Sequence, residues 1–182
     1  MERFEMKIHK TGKMGSSGFT LAEVMTVIAI LGILSAIAIP NYIKYRRKGQ
    51  LAEIAANLSA FEKGFIAFAL EHGGFPDDCH TDNGPFGLPD ELNGVSNTQI
   101  VKYIRTDAWV KPTPLGGRYN WEGPDGYWDS AGYLGISIDE GTAPTKDFRF
   151  LDGLIDDGDL SDGIFRLTPN GRYTYMIEDR LN

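Results

Sequence analysis

Nineteen residues near the start of the chain, Leu21 to Ile39, carry a single charge, Glu23, in an otherwise apolar run. As a helix at 1.5 Å per residue this stretch is long enough to cross the roughly 30 Å hydrocarbon core of a bilayer. Nothing later in the sequence approaches it, so the chain crosses a membrane at most once. The acid is the anomaly. A carboxylate inside hydrocarbon costs on the order of 1 to 3 kcal/mol, depending on its depth, so Glu23 calls for a compensating role.

The rest of the chain has the composition of a folded domain. At 182 residues, 42% apolar and 24% charged, there is room for one domain outside the apolar run and no sign of a long disordered tail. Charge is uneven. Arg3, Lys7, Lys10 and Lys13 outweigh Glu2 and Glu5 in the first eighteen residues, so the chain's net −7 becomes −9 without them. So acidic a remainder lacks the basic footprint that nucleic acid requires. Cys79 stands alone and cannot form an intrachain disulfide.

A second pattern follows the first. The apolar run ends at Pro40, and after "NYIKYRRKG" the residues Leu51, Ile54, Ala55, Leu58, Phe61, Phe65 and Phe68 recur at spacings of three and four. That is one face of an amphipathic helix, with Gln50, Glu53, Asn57, Glu62 and Lys63 on the other. Pro40 bends such a helix without necessarily ending it, whereas "EHGGFP" stops it with a glycine cap and a following proline. One helix from about Leu21 to Glu71 is expected.

From Phe75 to Gly132 the sequence is turn-rich, with a short helical turn expected at Ile100–Ile104. Strand patterns come late, at residues 133–138, 163–168 and 172–177, the last two joined by "PNG", a hairpin turn signal. The fold class expected is α+β: a long N-terminal helix, membrane-spanning in its first half and amphipathic in its second, packed on a small C-terminal antiparallel sheet. The boundaries read as residues 1–18, 19–40, 41–72 and a globular head at 73–182.

Three readings compete for the N-terminus. One is an uncleaved anchor, and another a secretory signal with an A-x-A site at Ala36-Ile37-Ala38. The third rests on "GFTLAEV". It closely resembles the processing motif of the type IV pilin-like family, which includes the pseudopilins of type II secretion. The resemblance implies cleavage after Gly18 by a prepilin peptidase and methylation of the new N-terminal Phe19. Glu23 then falls at the fifth mature position and Pro40 at the twenty-second, both in the family's register, with assembly assigned to them. The freed amine of Phe19 lies four residues before Glu23, on the same helical face, where it or a neighbour's amine can pair with the acid. A subunit inserted out of register leaves that acid unpaired. The alternative is that Glu23 only reaches toward the headgroups.

Four basic residues precede the run, and Lys44, Arg46, Arg47 and Lys48 follow it, so charge counting leaves its orientation tied. The resemblance implies residence in the bacterial inner membrane as a single-pass protein with its head in the periplasm. It also implies assembly with copies of itself and other pilins into a filament driven by an inner-membrane platform, with membrane lipid as its other surroundings. "EHGGFP" and "PLGGRYNWEG" are also similar to pseudopilin segments. On this reading the protein is a structural subunit and not an enzyme. The alternative is a membrane-anchored periplasmic binding protein or enzyme. Its aromatic-rich head would use Trp109, Trp121, Trp128 and nearby tyrosines as a sugar platform, although packing in a small core is the commoner fate of such side chains.

The run "DGLIDDGDLSDG" gathers Asp152, Asp156, Asp157, Asp159 and Asp162 within eleven residues. Such acids repel unless solvated or bridged by a hard cation, although the spacing is not that of an EF-hand. Major pseudopilins carry Ca²⁺ in a C-terminal loop, and the resemblance makes Asp156, Asp157, Asp159 and Asp162 the expected ligands; a plain solvated loop is the alternative. "DDCH" at 77–80, with one Cys and one His, does not close a metal site by itself. No nucleophile elbow, phosphate loop or zinc helix motif is present.

Overall fold

The computed structural model describes residues 18–76, 99–124 and 133–179. The leader up to residue 17, Cys79, His80 and Trp128 lie outside them, as does all of the turn-rich stretch at 77–98. The chain divides into two compact units, residues 1–44 and 45–182.

In the first unit the described residues begin helix α1, which runs Leu21–His72 and includes Pro40. The expected end at Glu71 is one residue short. Every residue from Gly18 to Arg46 is exposed. A helix segment that is apolar all round and buried by nothing among the described residues is suited to a lipid or protein surround. Pro40 donates no amide hydrogen, so the Ala36 carbonyl goes without its usual helical partner.

The second unit is built on the later part of α1. Its buried residues are Leu51, Ile54, Leu58, Phe61, Gly64, Phe65 and Phe68, the face that the spacing predicts, with Ala55 half-buried beside them. Gly73, at φ 80°, closes the helix by donating its N–H to Ala69 O at 2.9 Å. A 3₁₀ turn at Ile100–Lys102 follows, then the short α2 at Thr106–Trp109.

Strand β1 (Arg118–Glu122) and β2 (Tyr133–Asp139) come next, followed by α3 (Thr145–Ile155), β3 (Phe165–Leu167) and β4 (Tyr173–Asp179). The strands form one antiparallel sheet in the order β1-β2-β4-β3. The three late strands stand where the sequence puts them, although β3 is shorter than 163–168. Its start is delayed because the Ile164 N–H is given to the Asp156 carboxylate instead of the ladder. β1, α2 and α3 are corrections to the sequence reading, the first two lying inside what reads as turns.

Alternate strand residues point at the helix. Tyr119 and Trp121, Leu134, Ile136 and Ile138, Phe165 and Tyr175 form one core with the apolar face of α1. The Phe65 and Trp121 rings stack at 3.8 Å and 7°, and Phe61 meets Trp109 edge-on at 4.9 Å. Polar side chains on the flanks of α1 tie the sheet down at its rim, where Tyr175 donates its hydroxyl hydrogen to Glu62 at 2.9 Å. The sheet's other face is polar. Glu122 accepts from Asn120, Ser137 and Arg172 through one carboxylate oxygen.

Candidate functional site: the N-terminal segment and the acidic loop

Phe19 and Glu23 stand on either side of the start of α1. Thr20 precedes α1 and Glu23 is its third residue. The Thr20 N–H and hydroxyl both donate to Glu23 Oε2 at 2.8 Å, and the Glu23 N–H donates back to Thr20 Oγ1 at 3.2 Å. This is a reciprocal capping box, which satisfies two of the amides that a helix start leaves unpaired. The Thr-x-x-Glu spacing that encodes it stands in the sequence and was open to recognition. The acid is therefore held by its own chain at the helix start. Gly18 and Phe19 lie just before it, outside any helix or strand and exposed, with Phe19 the most exposed large apolar side chain of the segment at 88%.

The acidic run folds differently from a simple loop. Its first member, Asp152, belongs to α3, an amphipathic helix that buries Phe148, Leu151 and Asp152. Asp152 is 0% exposed, and neither of its carboxylate oxygens has a hydrogen-bond partner. Burial first, then the nearby charges of Asp157, Asp156 and Asp159, push its carboxyl up to about 6. Asp156 ends the helix and accepts the Ile164 N–H at 2.6 Å through Oδ2. Asp157 accepts the Asp159 N–H at 2.8 Å through Oδ1.

Of the four expected ligands, the structure brings Asp156 and Asp157 together with Asp152. One oxygen of each lies within 4.8 Å of the others. Asp159 is turned to Ser161, whose hydroxyl first and then N–H hold its carboxyl below the usual carboxylate range. Asp162 accepts the Gly163 N–H at 2.8 Å and faces Arg166 at 3.4 Å. Sequence reading counts Asp152 in the run but not among the ligands, since a helix at 145–155 was not foreseen. The apolar residues at 148, 151 and 155 were its signal, blurred by Gly153. Of the aromatic side chains proposed as a sugar platform, Trp109 and Trp121 are wholly buried in the core, which removes them from any surface.

Comparison with known proteins bears on the first of these two regions directly. Residues 13–39 match the model of the prokaryotic N-terminal methylation motif. The type IV major pilin PilA of Myxococcus xanthus is 32% identical over 157 residues, covering 72% of this chain and 70% of the relative. The chain belongs to the type IV pilin-like family. Prepilin peptidase-dependent protein D of Escherichia coli is 46% identical over 72 residues, which is 40% of this chain and 47% of that protein. The type II secretion system core protein G of Aeromonas hydrophila is 36% identical over 107 residues, covering 55% of this pilin-like chain and 72% of its own. No solved structure matches the chain significantly. As a pilin-like protein it is a structural subunit processed by a prepilin peptidase, and both pilins and a pseudopilin are among its relatives.

Proposed function

We propose that this pilin-like subunit waits in the bacterial inner membrane with its head in the periplasm, and that an ATPase-driven platform draws it into a type IV pilus or type II secretion pseudopilus. The observation that carries this reading is the register of Gly18, Phe19, Glu23 and Pro40 on an apolar helix left uncovered by the described residues. In lipid such a helix is stored; in a filament its apolar surface is shared with neighbouring copies. The function is mechanical. The head contributes bulk and contacts, and the burial of Trp109 and Trp121 argues against the sugar-platform alternative.

Cleavage after Gly18 changes the electrostatics at the capped turn. The Phe19 amide becomes a charged amine four residues before Glu23, and in low dielectric a paired acid is far cheaper than an unpaired one. Mass spectrometry of the protein from its native membrane tests this. The expected mature chain begins at N-methylated Phe19. A terminus at Met1 or Ile39 overturns the proposal. A bulky or charged residue in place of Gly18 is expected to leave the precursor uncut.

A further inference from the structure

We infer that the stored head docks on anionic phospholipid headgroups through a basic and apolar patch, formed by Arg46 and Lys48 of α1 with Lys146, Phe150 and Leu154 of α3. The docking rests on the membrane-storage reading above and adds a lipid partner for the head. No acid stands between Glu23 and Glu53, although the chain is −9 beyond its leader. Arg46 and Lys48 follow Ile39, the last residue of the apolar run, by seven and nine positions. Connectivity alone therefore keeps them near the bilayer surface. Helical side chains lean toward the N-terminus, here the membrane end, so both cations are carried back toward the headgroups. Tyr45 beside them is exposed, and tyrosine is favoured at such an interface.

On α3, Lys146, Phe150 and Leu154 recur every fourth residue on the face turned away from the buried Phe148, Leu151 and Asp152, and all three are exposed. The two helices meet at this patch. Lys48 Nζ lies 5.5 Å from the centre of the Phe150 ring, and one residue earlier Arg47 holds Asp147. Among the described residues Arg46, Lys48 and Lys146 have no acidic partner, whereas the charge of Arg47 is neutralised by Asp147. Arg149 is exposed as well, but its charge acts on Asp159, so it is left out of the patch. Unpaired cations beside exposed apolar side chains are the composition of a helix that lies in a membrane interface. Phosphate groups supply the missing negative charge, and the headgroup–acyl boundary covers Phe150 and Leu154. Entry into a filament then requires the head to leave this surface.

The full mature chain is reconstituted in vesicles of phosphatidylcholine, with or without phosphatidylglycerol, and acetylation of each lysine is followed by mass spectrometry. Lys48 and Lys146 are expected to react several-fold more slowly with phosphatidylglycerol present, and the difference is expected to fade in high salt. Lys63, fifteen residues beyond Lys48 along α1, and Lys102 serve as internal references and are expected to react alike in both vesicles. Arg46→Gln combined with Lys48→Gln changes only exposed side chains, so the head keeps its fold and its melting point. That variant is expected to return Lys146 to its phosphatidylcholine rate, while Lys44, held near the bilayer by connectivity, stays slowed. Equal rates at Lys146 in the two vesicles overturn the docking, as does a slowing of Lys146 that survives the double substitution. Slowing in both vesicles that follows the protein-to-lipid ratio replaces the lipid by a second copy of the chain and also overturns it. Flotation with the vesicles reads insertion separately. A chain that inserts in neither vesicle overturns the storage reading and the docking together, whereas normal insertion with lipid-independent acetylation overturns the docking alone.

Discussion

Arg47 and Asp147, a hundred residues apart in sequence, meet at 2.7 Å. The guanidinium of Arg47 donates through Nε and Nη2 to one carboxylate oxygen and through Nη1 to Pro114 O at 2.6 Å. One side chain thus ties α1 to the first turn of α3 and to the segment entering β1. Asp147 also sits at the positive end of the α3 dipole, where a carboxylate is favoured.

Arg47→Ala is therefore expected to destabilise the head by about 1–2 kcal/mol, since it removes charge-assisted bonds from a partly buried pair. Arg47→Lys is expected to recover only part of the loss, because a single ammonium does not reproduce a planar fork that reaches two acceptors. Thermal melting of the mature chain in micelles reads both effects. An Arg47→Ala chain that melts with wild type makes this contact an idle surface pair.

Gly64 offers a test whose sign discriminates. In an exposed helix, Gly→Ala adds about 1 kcal/mol of stability. Here a Cβ would lie 2.6 Å from both Tyr103 O and Ile104 Cγ2. A backbone carbonyl does not step aside as a side-chain end does, so Gly64→Ala is expected to destabilise by roughly 1–3 kcal/mol. A raised melting point would mean that the residue 100–104 turn packs less closely on α1 than described.

Phe65 stands at the centre of the core, stacked on Trp121, whose indole N–H donates to Pro76 O at 2.9 Å. Phe65→Ala is expected to cost about 3–5 kcal/mol, a large share of a small domain's stability. Loss of the cooperative melt, with the apolar N-terminal run still inserted in membranes, is the expected readout. A Phe65→Ala head with a near-wild-type melt would move the core elsewhere.

The elements legible in sequence were those with many repeats of one signal. The buried face of α1 shows seven apolar residues at helical spacing, and the β3–β4 hairpin has its Asn170-Gly171 turn with Gly171 at φ 82°. β1 is only five residues long, and flanking glycines and prolines disguise it. α3 was hidden for another reason. Its buried face includes Asp152, and a sequence pattern read by hydrophobicity assigns an aspartate to solvent. The N-terminal site was legible because its signal is positional: Gly18, Phe19, Glu23 and Pro40 are recognised by register alone. Which carboxylates of the acidic run converge depends on how α3 ends, and no spacing rule supplied that.

Glu23 has two roles that a single truncation confounds. Its carboxylate closes the capping box with Thr20, which fixes the start of α1, and its charge is available to the amine that cleavage creates on Phe19. Glu23→Leu removes both while making the segment more apolar, so insertion is expected to be unimpaired or improved and assembly impaired. Glu23→Gln separates them. A glutamine closes the same capping box, since it too accepts from the Thr20 N–H, but it carries no charge to pair with an amine. If register is selected by charge pairing in low dielectric, Glu23→Gln is processed and inserted normally yet yields filaments as poorly as Glu23→Leu. Counting filaments sheared from cells, against the amount of mature subunit in the membrane, measures the difference. Thr20→Ala is the complementary case: it weakens the cap but keeps the charge, and is expected to reduce assembly less than either change at Glu23. Wild-type filament yield from Glu23→Gln together with a severe defect in Thr20→Ala would transfer the role from the charge to the cap.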